Sequence, residues 1–93
     1  MDTGLVMPYI KPIDRVWLDP LIQQLREQLG SPLACPGHFN YAISMLLYPD
    51  GTSLTYSYIN AVQGILTCVA SEFYHRVAVP YEEEKRQENG DIL

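Results

Sequence analysis

The sequence predicts an all-α fold: a small three-helix domain with a long C-terminal helix kinked near Pro80. Three observations predict it. Ile59, Val62, Leu66, Val69, Phe73 and Val77 recur at spacings of three, four, three, four and four, which puts them on one face of a helix. Leu21, Ile22, Leu25 and Leu29 form a shorter stripe of the same period. Between the periodic segments lie Gly30, Pro32, Pro36, Gly37, Pro49 and Gly51, residues that end helices and make turns.

Taken in order, residues 1–12 read as a loosely ordered N-terminal segment, because Pro8 and Pro12 favour extended backbone. Ile13–Leu18 reads as a short helical turn. Asp19-Pro20 then reads as a helix start, with Asp as cap and Pro in the first turn. The first full helix is Pro20–Leu29, closed by Gly30. The second is expected at His38–Tyr48, apolar nearly all round and therefore central. Pro49-Asp50-Gly51 makes a turn in which Gly51 takes a positive φ.

The third helix is capped by Thr55 or Ser57, and Ile65 and Tyr74 widen its stripe. Gly64 in its middle costs about 1 kcal/mol against alanine and invites close approach of another helix. Pro80 removes one backbone hydrogen bond, so the kink is expected near Val79. Tyr81–Glu88 can continue as helix, with Glu82 and Arg86 at i,i+4. Asn89-Gly90 ends it, and residues 82–93 form a polar tail.

Ninety-three residues fit a single helical domain, 1–93, and leave no room for a second core. The apolar share is 47%, that of a folded chain, while charged residues make up only 18%. So little charge on so small a domain points to a second apolar surface that is covered. The net charge is −5 and the six basic residues are scattered. That disfavours a phosphate-binding surface, so a phage-type nucleic-acid regulator is the weaker alternative. The uncharged stretch Gly51–Ser71 carries too many polar residues to span a membrane. The N-terminus lacks a secretory pattern, and the chain is expected in the cytoplasm, where Cys35 and Cys68 stay thiols. Cys68 reads as a core residue.

A globule of this length is about 30 Å across. A helix running from Ile59 to Asn89 is about 45 Å long, and two short helices cannot cover its stripe. A homodimer follows as the expectation, with Ile59, Val62, Leu66, Val69 and Phe73 as the dimer face.

Four residues invite chemistry. Cys35 and His38 stand in C-P-G-H, and Cys68 and His75 lie two helical turns apart, so a zinc site or an enzyme using Cys35, His38, Cys68 and His75 is the alternative reading. Glu72, His75 and Cys68 could be drawn as a catalytic set, but one helix face builds neither a pocket nor an oxyanion site. No catalytic residue, cofactor or metal is therefore assigned. Glu82-Glu83-Glu84 is a solvated face or an attraction for a basic partner.

Several motifs carry a resemblance. They are M-P-Y-I-K-P from Met7, R-x-x-L-D-P at Arg15–Pro20, N-Y-A-I at Asn40–Ile43, E-F-Y-x-R-V at Glu72–Val77 and P-Y-E-x-E-K-x-x-E-N-G-D from Pro80 to Asp91. Together they resemble a family of small uncharacterised helical proteins of bacteria and their phages. The resemblance covers nearly everything after Met7, and the last motif is its most specific part. Where that family pattern has G-D-L-N-Y, this chain has Gly37-His38-Phe39-Asn40-Tyr41, which weakens a role for His38. The resemblance implies no catalytic residues. It marks the polar end motif, and with it Tyr81, Glu82, Lys85, Asn89, Gly90 and Asp91, as the candidate docking surface for a protein partner.

Overall fold

The computed structural model describes residues 9–51 and 54–93. Their regular structure is entirely helical: α1 is Pro12–Leu29, α2 is Pro36–Leu47 and α3 is Tyr56–Phe73. A π-helical turn, Tyr74–Ala78, joins α3 to α4, Val79–Asn89. The last three segments follow one another without a break, so the described residues form three helices, the third long and interrupted once. The described residues fall into two units, 9–58 and 59–93.

In the first unit, α1 begins earlier than the sequence predicts and runs through Asp19-Pro20 without a break. Pro12 fills the first helical position, where its missing N–H is not needed. The Asp14 N–H bonds the Lys11 carbonyl at 3.0 Å, and Arg15 donates to the Ile10 carbonyl at 3.3 Å. Asp14 also places a carboxylate in the first turn, where the helix dipole favours it. With this start made, Pro20 removes only the bond to the Val16 carbonyl, and the ladders on either side carry the helix across it. Gly30 closes α1 as expected, at φ 79° with its N–H on the Arg26 carbonyl at 3.1 Å.

The connection is shaped by Ser31. Its Oγ accepts from the Leu33 N–H at 3.1 Å and its carbonyl from the Cys35 N–H at 2.9 Å. α2 starts two residues before the predicted His38 because Pro36, like Pro12, takes the first helical position. It stops at Leu47 because Tyr48 precedes Pro49 and is held extended, at φ −66° and ψ 131°. Gly51 does not adopt the positive φ expected of it. The expectation for residues 1–8 lies outside the described residues; 9–11 have no regular structure, and Pro12 already belongs to α1.

α3 is capped by Thr55, whose Oγ1 accepts the Tyr58 N–H at 3.1 Å. Near Pro80 the helix changes register. The Val79 N–H bonds the Tyr74 carbonyl, five residues back, instead of the His75 carbonyl. Pro80 has no N–H to give to the Arg76 carbonyl, and its ring would strike that carbonyl in a regular α-turn. Widening the preceding turn to i→i−5 relieves both problems. The disturbance expected near Val79 is thus a π turn over the five residues before it. Gly90 closes α4 at φ 86°, its N–H on the Arg86 carbonyl at 2.9 Å.

None of the described residues is buried. This corrects two expectations. α2 is not enclosed, with Tyr41 and Leu46 well exposed, and Cys68 is half-exposed instead of core. No described helix is long and apolar enough to cross a membrane.

Candidate functional site

The residues singled out for pairing and docking lie in two places, both on the third helix. The first is the stripe of α3. Ile59, Leu66, Val69 and Phe73 project from one face, and Val77 continues it into the π turn. Leu66 is 39% exposed, Val69 55% and Phe73 63%, while Val62 is half-buried. Aliphatic and aromatic side chains standing in a line, each roughly half wet, form a surface that water disfavours. Gly64 has nothing within 4 Å of where a Cβ would stand. It lies on the side opposite Leu66 and Phe73, since two residues turn a helix by about 200°. The close approach expected at Gly64 is therefore absent among the described residues.

The second place is the end of α4. Tyr81, Glu82, Lys85, Asn89, Gly90 and Asp91 all line one open hollow of about 410 Å³, together with Arg86 and Ile92. Helix geometry explains the first part, because 81, 82, 85 and 89 are one and two turns apart on one face. Gly90 explains the rest. Its positive φ turns the chain back across the end of the helix and carries Asp91 to Arg86 at 3.3 Å. Asp91 also accepts the Ile92 N–H at 2.7 Å. Arg86 was expected to pair with Glu82. It pairs with Glu83, one turn away at i,i+3, and with Asp91. Lys85 stands 5.5 Å from the Tyr81 ring centroid and 3.5 Å from Glu88. Both cations of this segment are thus matched to carboxylates, and five acidic residues against two basic ones leave residues 79–93 at −3. Arg86 and Ile92 were not among the sequence candidates. Arg86 could have been found from the spacing 86–91 across a glycine stop; nothing in the sequence marks Ile92.

The residues considered for metal or catalysis are placed as follows. Cys35 is the half-exposed residue before α2, and His38 is exposed on its first turn. Cys68 is half-exposed on α3 and His75 lies in the π turn. The Nδ1–H of His75 donates to the Ser71 carbonyl at 2.8 Å, an assignment fixed by a carbonyl being only an acceptor. The ring also meets Tyr74 edge-on, with centroids 5.6 Å apart. Glu72 takes Arg76 at 3.0 Å. No three His, Cys, Asp or Glu side chains among the described residues form a group able to hold a metal ion.

A family model described as "Domain of unknown function (DUF6899)" matches residues 7–92. The chain belongs to this family. The match takes in α1 through α4 and both places described above, so the stripe and the hollow are parts of the family's domain rather than appendages to it. No curated protein and no solved structure matches the chain.

Proposed function

We propose that this chain is a non-catalytic protein-interaction module that works as a homodimer. It pairs through the α3 stripe and offers the acidic end of α4 to a basic surface of a protein partner in the cytoplasm. The stripe carries the reading. Ile59, Leu66, Val69, Phe73 and Val77 are each between 39% and 63% exposed. With Tyr81 they leave at most about 600 Å² of surface per chain, on the order of 200 Å² for each large side chain when fully exposed. Two copies that covered all of it would bury at most about 1,200 Å², the lower end of what specific, stable interfaces use. A second copy is the occupant that brings a matching stripe of the same length. The hollow at the end of α4 supports the second half of the reading through its residual negative charge and its exposed Tyr81 and Ile92. A reducing compartment would keep Cys35 and Cys68 as thiols.

Size-exclusion chromatography with light scattering tests the pairing. The expected mass is twice 10.6 kDa, and Leu66→Glu is expected to halve it while helicity by circular dichroism persists. A strict monomer at tens of micromolar removes the reading. Deleting residues 82–93, which spares Tyr81, is expected to leave the dimer in place, which separates the pairing role of the stripe from the docking role of the acidic end of α4.

A further inference from the structure

We infer that the two copies run antiparallel, with the two-fold axis crossing α3 midway between Leu66 and Val69. This rests on the self-association reading above and fixes what that reading leaves open, the direction of the second helix. An isologous contact pairs residue i with j and j with i; in an antiparallel pair this requires the stripe to match itself when turned end for end. This one does. Turned end for end about that midpoint, Leu66 falls opposite Val69 of the second copy and Val62 opposite Phe73. Ile59 falls within one residue of Val77. The largest side chain of the stripe meets one of the smallest, which lets knobs enter holes without two Phe73 rings competing for one space.

Charge selects the same direction. From Tyr56 to Ser71 the helix carries no charged residue, and Glu82, Glu83 and Glu84 follow the π turn. A parallel pair would set the two acidic runs side by side and align both helix dipoles. The antiparallel pair separates the runs and brings each within about one turn of the other copy's Tyr56, where α3 begins. A helix N-terminus favours carboxylates.

The π turn supports the register. Val69, Phe73, Val77 and Tyr81 are spaced by fours, and in a uniform α-helix each step of four drifts by about 40°. A turn closed by an i→i−5 bond holds more residues, so it rotates Val77 and Tyr81 back toward the line of Phe73. The contact strip therefore continues to the residues that lie beside the partner's first turn.

Spin-label distance measurement distinguishes the arrangements. In a Cys35→Ser, Cys68→Ser background, Glu84→Cys carries a nitroxide on the exposed side of α4, and light scattering is run on the same labelled sample. A dimer with a label separation of about 50 Å, from 1.5 Å of rise per residue on either side of the axis, is the expected result. A dimer with labels about 20 Å apart, as interaxial distances of 8–10 Å dictate for parallel helices, overturns the direction and leaves the pairing standing. A monomer overturns both. Gln87→Cys, expected slightly farther apart, replaces Glu84→Cys if the latter loses helicity, and Cys68→Ala replaces Cys68→Ser on the same ground.

Discussion

The phenolic O–H of Tyr58 donates to the carbonyl of Leu47 at 2.6 Å. One residue ends α2 and the other sits in the first turn of α3. Leu47 lies in the last turn of its helix, where carbonyls lack intrahelical donors, and Tyr58 supplies one from eleven positions along the chain. The backbone N–H of the same tyrosine is taken by Thr55. Tyr58 is thus held at both ends, by its backbone N–H and by its phenolic O–H.

Tyr58→Phe keeps the ring and deletes this bond. A half-buried hydrogen bond of this kind contributes about 1 kcal/mol, and in a domain this small that corresponds to a fall in Tm of about 4–8 °C. Thermal melting followed by circular dichroism measures it. An unchanged Tm would show that Leu47 finds water just as good a donor.

The cap of α3 is a separate test. Thr55→Ala is expected to lower stability by about 1 kcal/mol, and Thr55→Ser to stay within a few tenths of the parent. Chemical denaturation of the three proteins side by side reads the difference. Equal losses for both variants would assign Thr55 a packing role through its methyl group.

Pro80→Ala returns an N–H to position 80. The Arg76 carbonyl then regains its i→i−4 donor, the π turn closes to a regular α-turn, and stability is expected to rise by about 1–3 kcal/mol. Helicity at 222 nm increases with it. Restored α geometry also swings Tyr81 away from the line of Phe73, so the same variant is expected to dimerise less tightly while each helix becomes more stable. A gain in both would separate the π turn from the pairing face.

Two glycines are expected to respond in opposite directions. Gly64 has regular helical backbone and open space around it, so Gly64→Ala is expected to stabilise by about 0.8–1 kcal/mol. Gly90 sits at φ 86° and ψ 157°, a region that side-chain-bearing residues scarcely enter, and Gly90→Ala is expected to destabilise by about 1–3 kcal/mol. Denaturant midpoints at equal protein concentration compare them. A destabilised Gly64→Ala would mean that another helix does approach there once the copies assemble.

What could be read from the chain was what local chemistry decides. The period of Ile59 to Val77 and the stops at Gly30 and Gly90 each depend on neighbours within a turn or so, and each was legible; the cap of α3 was narrowed to Thr55 or Ser57, and Thr55 takes it. Asp19-Pro20 misled because two signals competed. It has the chemistry of a helix start, but Pro12 and Asp14 had already made one, and one missing hydrogen bond does not stop a helix supported on both sides. The π turn was legible as a disturbance but not as a shape, since residue types show that Pro80 must cost a bond and not how the turn before it adjusts. At the end of α4, six residues were singled out from the character of the motif alone; Arg86 and Ile92 join them only through the backbone reversal at Gly90. The burial of Cys68 and the central place of α2 were misjudged because apolarity records what a side chain avoids, not which surface will cover it.

One consequence follows from the lack of any fully buried side chain among the described residues. Unfolding a chain that hides little hydrocarbon hydrates little that is new, so the separated copies should melt broadly, with a small heat-capacity step. Under the proposed pairing, association would supply the missing burial. The transition should sharpen and climb in temperature as concentration rises, so that a calorimeter sees a cooperative protein only when there is enough of it for the copies to meet.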